Sequence, residues 1–267
     1  NSGGVLDVSA SNYALTVTGN FTNAGTFTSQ SGTVTLTGTG TQTLTSGGSS
    51  FYNLTINGSG GTYTLQDALA VSNNLTITAG TLDTKSGSNY GVTVGGTWSN
   101  SGTFTPRNGT LTLTGTSTLS DTTSFYNVTF NGSGNTLTLG AALNVSNILT
   151  ITAGTLDASS RTITLSGTTG APLVNSGTFT ASTSTVAFTG NNASGNTTIP
   201  SVTYNNLTLN NASETYVLAG STTVNSNLAI TNGTLDTVSG QSYALSVGGN
   251  FTNAGTFTSQ SGTVTLT

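Results

Sequence analysis

The chain is poor in side chains able to do chemistry. It has no cysteine and no histidine, three cations (Lys85, Arg107 and Arg161), and seven acids: Asp7, Asp67, Asp83, Asp121, Asp157, Asp236 and Glu214. Without histidine, imidazole acid–base and triad chemistry is excluded. Without cysteine there is no thiolate or disulfide chemistry. A pair of carboxylates is what remains, since two acids about 5–10 Å apart can hydrolyse a glycosidic bond. Four of the seven, however, belong to one dipeptide that recurs at near-equal intervals: Leu6-Asp7, Leu82-Asp83, Leu156-Asp157 and Leu235-Asp236. The expected role of these aspartates is to accept local backbone N–H bonds at a turn. Asp67 aligns with Ala141 in the next copy and is not part of the repeat. No catalytic residue is assigned, and the chain is expected not to be an enzyme.

Trp98, the only tryptophan, would suggest sugar stacking if exposed. It occupies the place held by Phe21, Leu173 and Phe251 in the other copies of the same segment. A position filled by Trp, Phe or Leu is most simply core. Metal ligation has no support either. There is no EF-hand loop and no Gly-Gly-x-Gly-x-Asp nonapeptide, so no metal and no cofactor are expected.

The elements that carry these residues come from a repeat at two levels. Gly25-Thr26-Phe27 returns as Gly102-Thr103-Phe104, Gly177-Thr178-Phe179 and Gly255-Thr256-Phe257, marking a long module. Its copies run over about 5–80, 81–154, 155–233 and 234–267, the last incomplete. Inside each module an apolar–small–apolar triplet recurs. Fourteen such triplets start between Leu15 and Val264, and their mean spacing of about 19 residues is that of one solenoid coil. The middle residue is threonine in eleven: Thr16, Thr35, Thr55, Thr76, Thr93, Thr112, Thr129, Thr150, Thr164, Thr208 and Thr265.

Period-two alternation turns the outer members of a triplet inward and the threonine outward. So short a strand is stable only when stacked on its neighbours at about 4.8 Å. Asn57-Gly58-Ser59-Gly60-Gly61 and Asn131-Gly132-Ser133-Gly134-Asn135 read as corners, because Gly and Asn accept positive φ. The expected fold is all-β: a single continuous parallel β-helix (β-solenoid) over residues 1–267, of about 14 coils of about 19 residues. An array of small sandwiches fits less well, because their strands need not share one triplet at one spacing. An outward column of threonines raises one sharper alternative, a Thr-face module binding ice or glycans.

Composition agrees with a β fold. Only 4% of residues are charged, against a usual ~25%, so the polar helix formers are nearly missing. Three basic residues provide no stripe to neutralise phosphates, so nucleic acid is not an expected partner. No apolar run approaches the ~20 residues of a membrane span.

The segments Phe51-Tyr52-Asn53-Leu54-Thr55-Ile56 and Val71-Ser72-Asn73-Asn74-Leu75-Thr76-Ile77-Thr78-Ala79-Gly80-Thr81-Leu82-Asp83 resemble the β-strand repeats of giant bacterial surface proteins, of the autotransporter-passenger and filamentous-haemagglutinin kind. The resemblance implies a right-handed parallel β-helix that is secreted to the cell surface or beyond. It also implies a role as structural filament, adhesin or stalk, with surface glycans among the possible partners. It carries no functional residues over. Gly19–Thr37 is identical to Gly249–Thr267. Three modules therefore make a higher repeat, and the chain reads as a window on a longer repetitive protein that associates with itself head to tail or side by side.

Overall fold

A computed structural model describes residues 3–267. Every regular element among them is a β-strand, with no helix, and the strands are stacked in parallel as a β-solenoid. The described residues form two compact units, 3–121 and 122–267.

In the first unit the chain circulates through three parallel ladders. One runs Leu15, Val34, Leu54, Leu75, Trp98. A second runs Thr41, Thr62, Thr81, Thr103. A third runs Leu69, Val92, Leu111. One circuit is a turn, and its length varies a little, from Leu15–Val34 at the short end to Leu75–Trp98 at the long end. Alternation explains the packing. Leu54 and Ile56 are fully buried, as are Tyr63 and Leu65, and Leu75 and Ile77. The threonines between them remain partly exposed. Each turn thus adds the same apolar layer to one continuous core.

The second unit is built the same way. Leu143, Ile163, Val186, Leu207, Leu228 and Phe251 stack in one ladder. Thr197, Tyr216, Leu235 and Phe257 stack in another. Tyr204, Val224, Val247 and Leu266 form the third.

The turn is longer than the triplet spacing implied. Leu75 stacks on Trp98, not on Val92. Leu149 stacks on Leu173, not on Ile163, and Leu228 on Phe251, not on Leu245. The short intervals at those places, such as Leu75 to Val92, are therefore not turns. There the triplet lands two ladders further on, short of a full turn. A turn holds ~21 residues, and the chain has about 12 turns in place of the expected 14.

This fixes the length of the module. In the first unit, Leu6 stacks under Phe27, whose ring packs on Phe51 at 5.6 Å, and Phe51 bridges to Val71. Three turns are then complete. The next Leu-Asp, at Leu82, lies two ladders further on. The second unit repeats the pattern from Leu156 through Phe179, Tyr204 and Val224 to Leu235. A module is three and two-thirds turns in both.

Candidate functional site

The outward threonines do not form one column. Thr16, Thr35, Thr55 and Thr76 stack in register, followed by Ser99. Thr93 and Thr112 belong to the ladder of Ala70. Thr129 and Thr150 are followed by Val174. Thr164 and Thr208 alternate with Ala187 and Ala229, and Thr265 stacks on Ser246. The reason is the ladder step at the end of each module, which moves the next set of triplets to another face.

A denser threonine array lies on a different ladder of the first unit. Thr41, Thr62, Thr81 and Thr103 form one rank. Thr43, Thr64, Asp83 and Thr105 form a second, two residues along. Between the ranks Tyr63, Leu82 and Phe104 point into the core. The signal is present in the sequence as Thr-x-Thr in Thr41-Gln42-Thr43, Thr62-Tyr63-Thr64 and Thr103-Phe104-Thr105. It falls outside the triplet pattern because threonine stands at both outer places and Gln42, Tyr63 or Phe104 at the centre.

The four Leu-Asp aspartates sit at corners. Oδ1 of Asp7, Asp83, Asp157 and Asp236 accepts the backbone N–H two residues on, from Ser9, Lys85, Ser159 and Val238, at 2.7 to 2.9 Å. Each of those four donor residues is left-handed, with φ between 50° and 72°. A short local carboxylate bond is what makes this conformation tolerable for a side chain larger than glycine. The same carboxylates reach the next turn: Asp7 to Gln30, Asp83 to Arg107, Asp157 to Ser182 and Asp236 to Gln260. Those partners are again left-handed. Each aspartate therefore fastens two successive corners together, which adds an interturn role to the expected local one.

The Arg107 guanidinium, 2.7 Å from Asp83, holds that carboxyl below the usual carboxylate range, against the opposing effect of partial burial. A lowered folded pKa contributes stability that is present above the unfolded value near 3.9 and fades as pH falls through the folded value. Solvent screens the pair, so Asp83→Asn is expected to cost only about 1 kcal/mol at pH 7. The difference from the parent should vanish in acid, which denaturation curves at pH 7 and pH 2 will check.

Trp98, Asp121, Asp67 and Tyr63 are likewise engaged. Trp98 is buried in its ladder, and its Nε1–H donates to Asp121 Oδ2 at 2.8 Å, as does Asn100 Nδ2 at 3.0 Å. Asp67 accepts the backbone N–H groups of Ser46 and Gly47 and the Ser46 hydroxyl. The buried Tyr63 hydroxyl accepts from Gly38 N one turn back and reaches Val17 O and Gly19 O two turns back. Asparagines form side-chain ladders that the sequence did not announce. Asn73 Nδ2 donates to Asn53 Oδ1, Asn147 to Asn127 and Asn227 to Asn206, at 2.8 to 3.0 Å. Among the described residues, no three His, Cys, Asp or Glu side chains converge.

Comparison of the chain with family models, with curated proteins and with solved structures gives no match.

Proposed function

We propose that the chain is a structural element of a secreted or surface-attached filament, a stalk or adhesin shaft, and not an enzyme. The observation that carries this reading is the use of side chains to tie turn to turn. Aspartates, asparagines and Tyr63 join successive turns alongside the backbone ladders. The six aspartates are thus spent along the direction in which a shaft bears load. With 4% charged residues, long-range repulsion between copies is small, which supports lateral or end-to-end association of the chain with itself.

Pulling single molecules by their ends tests the mechanical part. The expected record is a series of force peaks, each releasing a whole number of turns. One turn of ~21 residues corresponds to about 7 nm of chain at ~3.4 Å per residue. Extension without force peaks would remove the load-bearing role. Surface labelling of intact source cells with an antibody to the chain tests location, and labelling only after permeabilisation would exclude it.

The paired ranks Thr41/Thr43, Thr62/Thr64 and Thr103/Thr105 favour a second reading, a flat hydroxyl face that binds ice or glycans. Thermal hysteresis, or glycan binding, that is lost on Thr62→Lys with Thr64→Lys would establish it. A parent chain inert in both assays would eliminate it.

A further inference from the structure

Glu214 is the only glutamate, and it stands where no large side chain stands in the sister modules. Thr62, Thr136 and Thr215 pair in the same way with Thr81, Thr155 and Thr234 one turn later. The residues before them are Gly61, Asn135 and Glu214. At Gly61 even a methyl group would overlap the Gly38 carbonyl oxygen of the preceding turn. Glu214 finds room because the preceding turn is longer at this corner. Eight residues separate Phe188 from Thr197, the partner of Tyr216, where five separate Leu36 from Gln42, the partner of Tyr63.

The extra chain folds over the carboxylate. Asn192 N–H donates to Glu214 Oε2 at 2.5 Å, and Asn192 Nδ2 ties the loop to Asn196 O. The other oxygen, Oε1, is buried and has no hydrogen-bond partner, in a residue only 2% exposed. Thr197, also 2% exposed, has a buried hydroxyl oxygen without a partner. It stacks on Tyr216 in the inward ladder, two positions along from Glu214, so the two side chains are diagonal neighbours on one face. A buried, unpaired carboxylate costs several kcal/mol. The unit's single side-chain cation, Arg161, is exposed and makes no ion pair with it. The corner thus gathers a negative charge and oxygen acceptors and lacks the positive partner they call for.

We propose that this corner binds a hard divalent cation of the calcium class. Glu214 Oε1 and Thr197 Oγ1 are its side-chain ligands, completed by peptide oxygens of the 190–196 loop and by water. Calcium accepts varied oxygen sets of six to eight ligands, whereas magnesium demands a regular octahedron that an irregular loop does not offer. With one carboxylate, the site belongs with the weak extracellular class, at a Kd of roughly 10⁻⁴–10⁻³ M. Binding fastens the long loop to the turn that follows it.

The test is titration of the full chain with terbium(III), excited through tyrosine, since Tyr216 lies two residues from Glu214. The expected result is saturable emission that calcium displaces. Glu214→Gln should abolish it, Thr197→Val should weaken it, and the corner variant Asp236→Asn should leave it in place. Calcium should raise the melting temperature of the parent and of Asp236→Asn, but not of Glu214→Gln. The site is overturned by emission that survives Glu214→Gln, by emission that disappears in Asp236→Asn, or by a parent that shows no saturable emission.

Discussion

Gly154→Ala is expected to destabilise the second unit by more than about 3 kcal/mol, while Gly134→Ala costs about 1–2 kcal/mol. Both glycines are left-handed, at φ 83° and 74°. Any L side chain pays the same conformational penalty at either place, about 1–2 kcal/mol. Their surroundings differ. A methyl on Gly134 meets nothing within 4 Å. On Gly154 it overlaps the Gly132 carbonyl oxygen of the turn before and crowds Asn135 O and the Phe130 ring, both at 2.8 Å. The carbonyls are backbone, so they yield only if the turns separate, and each buried ladder bond left unmade costs about 1–3 kcal/mol. The difference between the two variants isolates the energy of close turn-to-turn approach. Thermal midpoints measured side by side will check it, and equal losses would assign all of the effect to φ.

Alkali is expected to destabilise the second unit above about pH 10. Tyr204 and Tyr216 are fully buried, and burial pushes both hydroxyls above the ordinary tyrosine range. For Tyr216 the Glu214 charge adds to the rise and a backbone hydrogen bond from Asn210 opposes it. A raised folded pKa means that the stabilisation is complete below the unfolded value near 10 and is lost as pH climbs above it. Each tyrosine then removes about 1.4 kcal/mol per pH unit. Tyr204→Phe should cost about 1 kcal/mol near neutrality, because the bond to Pro200 O at 3.0 Å is lost. Above pH 10 its stability should fall less steeply, by about 1.4 kcal/mol per pH unit, so the two curves converge and then cross. Denaturant midpoints from pH 8 to pH 12 will show whether they do. Parallel curves would mean that Tyr204 ionises in the fold without penalty.

What the sequence disclosed and what it hid divide along local and non-local lines. Leu54-Thr55-Ile56 announces its own inward and outward faces, because alternation is a property of one strand. The aspartate corners were legible for the same reason: Asp83 and Lys85 are two residues apart. Trp98 could be placed in the core by comparison with Phe21 and Phe251, but its partner Asp121, a full turn further on, left no trace. Phase was the hidden quantity. Nothing in the stretch from Leu75 to Val92 says that it covers less than a turn. The difference appears only when Leu75 is seen to stack on Trp98. From that one ambiguity came the coil count and the expectation of a single threonine column. Glu214 was visible only as an odd acid. Its burial depends on a loop in the preceding turn, which no repeating residue marks.

The fractional length of the module has a geometric consequence. In each unit a repeat of three and two-thirds turns brings the next Leu-Asp corner back with the same features, turned by a third of a revolution. The step is present separately between Leu6 and Leu82 and between Leu156 and Leu235. Within each unit, a partner that recognises one module's corner is therefore offered it from two directions, with a rise of about 18 Å between offers. Three such modules amount to eleven turns, and eleven turns of ~21 residues match the distance along the chain from Gly19–Thr37 to its identical copy, Gly249–Thr267. In gene terms, gaining or losing one module re-aims the turns beyond it in the same unit by a third of a revolution.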